Sequence, residues 1–451
     1  MLSSEIFKAN DIRGVTAGPD PQWDSAGAYA IGAALVDTLD LIAAEGTLVV
    51  GRDMRLSSPE MAAAFIDGVL SRGADVVDIG LASTDELWFA SGRLGLPGAM
   101  FTASHNPGEY NGIKFCLAEA RPISPAQLVE IADRAMGDAP VAAAARGQYE
   151  EQDLLPAYAD HLHSLVDLTG IRRLTVVADA GNGMAGHTLP AVLGPVDLEL
   201  VGLYTDPDGT FPNHAPNPLE PKNLVDAQAA VIEHGADLAL VFDGDADRCF
   251  IIDERGEVVS PSAVTAMIAS QELRREPGAT IVCNKITSWA VREVVTETGG
   301  EIVVTRVGHT FVKAAMAERN AIFGGEHSAH YYFRDFWGAD TGMLAGLHVL
   351  ALAGRSDRPL SELSARFNRY AASGEINTLV EDQQLIMDRV AAAFADRGDQ
   401  DRVDGLTVAG PNWWINVRPS NTEPLLRLNV EAASESEMAA LRDEALGLIR
   451  A

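Results

Sequence analysis

Three times along this chain an apolar strand pattern alternates with a helical one, and the third strand of each set runs straight into a loop dense in charged and hydroxyl side chains. Val49-Val-Gly-Arg52, Val176-Val-Ala-Asp179 and Ile281-Val-Cys-Asn284 align as first strands. Val76-Val-Asp-Ile79, Leu198-Glu-Leu-Val201 and Ile302-Val-Val-Thr305 follow as second strands, then Ala99-Met-Phe101, Leu238-Ala-Leu-Val-Phe242 and Ala321-Ile-Phe323 as third strands. Short apolar runs bounded by turn formers are the pattern of buried strands. In the first set, residues 26–44 are Ala-rich and read as helix. Ser58-Pro-Glu60 opens another helix, with a capping serine and a proline in its first turn. Such alternation builds α/β layers on a parallel or mixed sheet. Ligands of open α/β sheets gather beyond the carboxyl ends of the strands, so the three loops are expected to face a common cleft.

Beyond about residue 370 the texture changes. Trp413-Trp-Ile-Asn-Val-Arg418 and Leu425-Leu-Arg-Leu-Asn-Val430 flank a fourth loop, and residues 434–451 read as a closing amphipathic helix. The expected architecture is three similar mixed α/β-sheet domains plus a smaller C-terminal α+β domain around a central active-site cleft. Boundaries are placed at 1–146, 147–255, 256–372 and 373–451.

The length of 451 residues suits several domains, and 47% apolar content is ample for their cores. No basic segment followed by a long apolar one opens the chain, and no run is long enough to span a bilayer, so a cytoplasmic protein is expected. Cys116, Cys249 and Cys283 sit in strand-like positions without paired spacing, which predicts buried thiols in a reducing compartment. With 34 Lys plus Arg against 64 Asp plus Glu, the net charge of −30 repels nucleic acid and anionic membrane, and neither is expected as a partner. It does not repel a phosphorylated ligand from a cleft, because screening confines surface charge to about 8 Å at physiological ionic strength. Arg13, Lys114, Arg248, Lys285, His309 and Arg418 all fall at or beside loops, as an anion-binding cleft requires.

The loops carry complementary chemistry. In Thr102-Ala-Ser-His-Asn-Pro107 a strand delivers Ser104 into a turn beside His105 and Asn106. In Asp243-Gly-Asp-Ala-Asp-Arg248 the carboxylates of Asp243, Asp245 and Asp247 alternate with small residues, so an extended segment would point them the same way toward a hard cation. Few protein ligands plus a phosphate suit Mg²⁺. An EF-hand is excluded because Arg248 stands where its glycine is required and Cys249-Phe-Ile-Ile252 is strand. In Arg418-Pro-Ser-Asn-Thr-Glu-Pro424, Arg418 offers a bidentate phosphate contact, with Ser420, Asn421 and Thr422 as further donors. Gly325-Glu-His-Ser-Ala-His330 is the remaining loop. A rival signal is Gly181-Asn-Gly183-Met-Ala-Gly186, which fits a dinucleotide fingerprint with Glu199 downstream and makes an NAD-dependent oxidoreductase the competing enzyme class. That reading leaves the other four loops without a job.

Taken in order, the four loops resemble the signature loops of the alpha-D-phosphohexomutases, and the resemblance covers essentially the whole chain, closest to the bacterial phosphomannomutase/phosphoglucomutase branch. The resemblance implies interconversion of hexose 1-phosphate and hexose 6-phosphate, most of all of mannose with glucose also accepted, activated by hexose 1,6-bisphosphate. Ser104 would be phosphorylated, and a phosphate oxygen would complete the Mg²⁺ shell of Asp243, Asp245 and Asp247. Arg248 would steady the sugar or the transferring group, Lys114 and His330 would move protons, and His105 would lend hydrogen bonds. A neutral Lys114 needs a lowered pKa, expected from burial and neighbouring cations. Glu326 and Ser328 match the positions that grip sugar hydroxyls, and Gly308 and His309 match a second substrate-reading loop. Asn10, where relatives often carry tyrosine, and Ala329, where they usually carry glycine, depart from the pattern, the second adding a methyl beside Ser328. Asn421 and His327 set the chain apart from phosphoglucosamine mutases, the alternative within the family. A non-catalytic phosphosugar-binding protein or a phosphatase are the remaining alternatives. The oligomeric state is not legible.

Overall fold

The computed structural model describes residues 1–42, 46–138, 142–420 and 425–451. Its contacts divide the chain into two compact units, one of Met1–Val259 with Ser328–Ser361, the other of Ser260–His327 with Glu362–Ala451.

The first unit holds two sheets. In one, Thr47–Arg52 lies between Asp75–Leu81 and Gly98–Phe101, parallel to both, with Val49 opposite Val77 and Val50 opposite Ala99. Tyr110–Leu117 then adds antiparallel to Gly98–Phe101, and Ile12–Val15 antiparallel to Tyr110–Leu117, making the sheet mixed. The apolar faces of helices Ser25–Thr38 and Ser58–Ser71 bury a core around Phe65, Phe101 and Phe115. In the other sheet Leu174–Asp179 lies between the parallel strands Leu198–Leu203 and Leu238–Phe242, and Cys249–Asp253 returns antiparallel to Leu238–Phe242. Each central strand is buried along most of its length, which is why its sequence is a continuous apolar run and not an alternating one. The returning segment Ser328–Ser361 brings the hairpin Tyr331–Phe333 with Ala339–Asp340 and the buried helix Gly342–Gly354 to this unit.

The second unit contains the parallel strands Glu301–Thr305, Thr280–Asn284 and Phe323–Gly325, with Thr280–Asn284 in the centre. It also contains an antiparallel sheet in which Trp413–Pro419 and Leu425–Ala432 pair centrally. Helices Gln383–Ala393 and Glu435–Arg450 cover it, burying Val390, Phe394, Ile415, Leu428 and Ile449. The closing helix begins where expected because the Ser434 hydroxyl accepts the Glu437 N–H.

Several expectations need correction. The helix read over 26–44 ends at Thr38, and Asp40 takes a left-handed φ of 51°, while Ala43 and Ala44 lie outside the described residues. Ser58 is not a cap. Ser57 holds that position without a capping bond, its hydroxyl accepting instead from Thr16 and Asn111, and the Ser58 hydroxyl donates to Asp53 Oδ1 at 2.7 Å. The third strand of the third set is Phe323–Gly325, shifted from Ala321-Ile-Phe323. All three cysteines are buried, in strands, and none forms a disulfide. Among the described residues no helix is long and apolar enough to cross a membrane.

Candidate active site

In the first unit Gly98–Phe101 delivers Ser104, and Leu238–Phe242 delivers the acidic loop. The two loops touch. The Ser104 hydroxyl donates to Asp243 Oδ2 at 2.9 Å, and Arg248 Nη2 lies 3.3 Å from the same hydroxyl. Gly244 permits this approach, since a Cβ there would stand 2.5 Å from the Ser104 carbonyl oxygen. The acidic loop is a turn, not the extended segment expected, with Ala246 at a φ of 62°. Its carboxylates still converge, with one oxygen each of Asp243, Asp245 and Asp247 within 4.8 Å of one another.

These oxygens are not equally engaged. Arg248 grips Asp243 through its backbone N–H at 3.1 Å, Nε at 2.8 Å and Nη2 at 2.6 Å. Lys114 Nζ donates to Asp245 Oδ2 at 2.6 Å and Asp247 Oδ2 at 2.5 Å. Asp245 Oδ1 and Asp247 Oδ1 are buried with no hydrogen-bond partner among the described residues. Two orphaned carboxylate oxygens beside a third acid form a hard-oxygen donor set that fits a cation of the Mg²⁺ kind. Burial, reinforced by Asp247 and Asp245, pushes the Asp243 carboxyl well up despite Arg248. For Asp245 burial acts upward too, but Lys114 more than reverses it and holds the group well below the usual carboxylate range. Three acids packed this closely call for more positive charge than one lysine and one arginine supply.

The same pairing corrects one expectation. Burial alone would lower the Lys114 ammonium, yet Asp245 and Asp247 raise it above the usual lysine range, so this lysine is held protonated. His105 goes the other way, since burial and then Arg248 hold it well below its ordinary value. Because Arg248 Nη2 can only donate to His105 Nδ1, at 2.6 Å, the neutral ring carries its proton on Nε2. His330 joins the group through a backbone bridge to Arg248. Its Nδ1 lies 3.0 Å from the Ser328 hydroxyl and its Nε2 3.9 Å from Asp247 Oδ1. Arg13 Nη1 donates to Asn106 Oδ1 at 2.8 Å, while Asn10 is exposed. Ala329 is fully buried at a φ of 65°, so its methyl does not line an open sugar pocket. Ser104 at 50°, Ala246 and Ala329 each occupy a region where a side chain costs about 1–2 kcal/mol.

Arg55 was not legible as a site residue, yet it holds the serine loop. Fully buried, it donates from Nη2 to the carbonyls of Ser104 and Asn106, both at 2.7 Å, and from Nη1 to those of Pro107 at 2.6 Å and Tyr110 at 2.9 Å. Its Nε is paired with Asp53 Oδ2 at 3.1 Å. The available signal was a pair of opposite charges, Asp53 and Arg55, directly after a buried strand. Arg55→Met is expected to cost about 3–5 kcal/mol in urea unfolding, the scale for stranding a buried partner charge. A loss below about 1 kcal/mol, the scale of an exposed pair, would show that the loop is held by other groups.

The dinucleotide-like glycines have a structural job. Gly181 has a φ of 53°, and the Met184 N–H donates to the Gly244 carbonyl at 2.9 Å. A Cβ on Gly183 would lie 2.7 Å from that same oxygen. The motif thus supports the acidic loop from behind, where a pyrophosphate would have to sit.

In the second unit Glu326 is buried, accepting from Asn284 Nδ2 at 3.0 Å and the Gly308 N–H at 3.3 Å. Gly308 precedes helix His309–Arg319 with a φ of 135°, and His309 opens that helix. Lys285 pairs with Asp401. Arg418 Nη2 pairs with Glu375 at 2.6 Å, and its buried Nε has no hydrogen-bond partner among the described residues. The Ser420 N–H donates to the Leu425 carbonyl at 2.9 Å, while Asn421 and Thr422 lie outside the described residues.

Comparison with known proteins decides the family. Four models described as Phosphoglucomutase/phosphomannomutase match in order: alpha/beta/alpha domain I over residues 4–139, domain II over 156–256, domain III over 260–370 and the C-terminal domain over 375–448. The chain belongs to the phosphoglucomutase/phosphomannomutase family. A Salmonella typhimurium protein named phosphomannomutase is 40% identical over 458 aligned residues, which cover 99% of each chain. A Xanthomonas campestris protein named phosphohexose mutases is 39% identical and covers 98% of each. A solved structure of a phosphoglucomutase/phosphomannomutase family protein from Burkholderia thailandensis aligns with a TM-score of 0.90 at 33% identity, over 100% of this chain and 98% of that one. The phosphohexomutase fold of three α/β domains and a C-terminal domain is therefore present, and the protein is an isomerase of carbohydrate metabolism.

Proposed function

We propose that this phosphohexomutase interconverts the 1- and 6-phosphates of mannose, and also of glucose, through a phosphorylated Ser104 and a hexose 1,6-bisphosphate intermediate. The observation that carries the reading is the Ser104 hydroxyl held between Asp243 and Arg248 at the edge of a carboxylate triad with two orphaned oxygens. Asp243, Asp245 and Asp247 would hold Mg²⁺, which when bound offsets negative charge on the transferring phosphoryl group. In the first half-cycle the phosphoserine O–P bond breaks, its electron pair stays on Ser104 Oγ, which takes up a proton, and a new O–P bond forms to the free hydroxyl of a hexose monophosphate, whose proton leaves to a base. In the second half-cycle the other phosphate returns to Ser104, whose hydroxyl gives up its proton, and the leaving sugar oxygen takes one up. Lys114, held protonated, supplies positive charge, which leaves His330 to accept and return the proton. Arg248 neutralises the phosphoryl oxygens, and neutral His105 donates from Nε2.

For the substrate, we assign Arg13 and Lys285 to anion contacts, Asn10, Gly308 and His309 to sugar positioning, and Glu326 and Ser328 to ring hydroxyls. Arg418, with Ser420, Asn421 and Thr422, takes the phosphate that does not react. Domain boundaries at 1–146, 147–255, 256–372 and 373–451 accompany this reading, and three buried thiols without a disulfide suit a reducing cytoplasm.

The test is incubation with mannose 1-phosphate, glucose 1-phosphate or glucosamine 1-phosphate, each with its bisphosphate and Mg²⁺, following isomer and free phosphate together. Isomerisation of the mannose and glucose esters is expected. A preference for the glucosamine ester overturns the substrate, and free phosphate without isomer overturns the mutase cycle. Arg418→Ala is expected to raise KM and lower kcat/KM roughly ten- to hundredfold, the cost of one charged hydrogen-bonding partner. Wild-type kinetics from this variant would remove the loop from the substrate site.

A further inference from the structure

We infer that Thr84 is a positioning residue for the carboxylate triad, holding Asp245 so that Oδ1 alone is left to face a cation; this rests on reading the triad as a cation site. Thr84 is fully buried and grips Asp245 twice. Its hydroxyl donates to Asp245 Oδ2 at 2.6 Å, and its backbone N–H donates to the Asp245 carbonyl at 3.0 Å. The backbone bond fixes where residue 245 sits, and the hydroxyl fixes how its carboxylate is turned. With Lys114 on the same oxygen, Oδ2 accepts two donors while Oδ1, equally buried, accepts none. A carboxylate bonded on one side only has the orientation a cation ligand needs before the cation arrives. Partners of this kind commonly set metal affinity.

Thr84 is itself rigidly placed. It is the first residue of helix Thr84–Leu94, where no preceding helical turn offers its hydroxyl a competing carbonyl. Ser83 caps that helix by accepting the Glu86 N–H at 3.2 Å, and donates to Asp85 Oδ1 at 2.5 Å. Asp85 Oδ2 in turn accepts from Tyr158 and from Thr341, both at 2.7 Å. Helices Leu155–Leu165 and Gly342–Gly354 therefore anchor the turn that aims Thr84.

The experiment uses the full chain treated with bisphosphate, comparing wild type with Thr84→Val, Thr84→Ala and Thr84→Ser. Mg²⁺ binding is followed by calorimetry and Mn²⁺ binding by electron paramagnetic resonance, with thermal unfolding in chelator as a check on folding. Thr84→Val is expected to weaken both ions about tenfold or more, the usual effect of losing a ligand's hydrogen-bond partner. Thr84→Ser, which keeps the donor, should restore wild-type affinity. At saturating Mg²⁺ the valine variant should recover turnover with an unchanged KM for the sugar phosphate. If valine does not fold, alanine carries the same comparison. Wild-type affinity in the folded valine or alanine variant overturns the positioning role and leaves the proposed function standing. If the wild type itself binds neither ion, the cation reading fails and this inference fails with it.

Discussion

Ser104→Ala should lower mutase turnover by about 10⁴-fold or more, the scale on which enzymes lose activity when a covalent nucleophile is removed. Ser104 is 3% exposed and its hydroxyl contacts Asp243, Arg248 and His105 at 2.9, 3.3 and 3.3 Å. Its backbone is held in place by the Thr102 hydroxyl, which accepts the Ser104 N–H at 2.9 Å, and by Arg55 on its carbonyl. Alanine keeps those backbone contacts and loses only the oxygen, so the fold should survive. Intact-mass analysis after bisphosphate treatment should show one phosphate on the wild type and none on the variant. Full turnover in the variant would end the phosphoserine cycle.

Asp245→Asn should be nearly as damaging. The amide keeps the size of the side chain, but it loses the charge that pairs with Lys114 and presents at most one neutral oxygen to a cation. Turnover is expected to fall by orders of magnitude, and chelator should abolish wild-type activity reversibly. A separate readout is stability: a cation at a hundred times its Kd stabilises the folded state by about 2.7 kcal/mol. Mg²⁺ should therefore raise the unfolding temperature of phosphorylated wild type and leave that of Asp245→Asn unmoved. Activity independent of Mg²⁺ in the wild type would count decisively against the cation assignment.

What the sequence made legible and what it concealed follow from the range of the interactions. Buried central strands such as Leu238–Phe242 announce themselves because both faces are apolar, and the loops beyond them stand out because they interrupt that run with Ser104 or Asp243. Contacts between distant segments leave no such trace. Thr84 meets Asp245 across 161 residues and Arg55 meets the Ser104 carbonyl across 49, and neither residue looks unusual among its own neighbours. The sequence sets Lys114 among other cations, whereas its partners are Asp245 and Asp247, because charge in sequence does not reveal which side chains face one another. Ser58 shows the reverse error: a serine before proline fits a cap, but a buried Asp53 competed for its hydroxyl and won. Alternation predicts an extended acidic loop, yet the Ala246 φ turns it, because alternation alone cannot separate a strand from a tight turn.

The path of the chain through its two units also governs how the protein is made. The first unit is left at Val259 and rejoined only at Ser328, with its last residues ending at Ser361. A ribosome adding about 5–20 residues per second needs on the order of 3–14 s to travel from Val259 to Ser328. Throughout that interval the nascent amino-terminal part lacks Thr341, so the buried Asp85 waits for one of its donors, and Arg248 waits for the backbone of His330 that bridges to it. The whole second-unit segment Ser260–His327 must emerge before the acidic loop acquires its last neighbours. The half-built state therefore leaves bare the surface that the buried helix Gly342–Gly354 later covers.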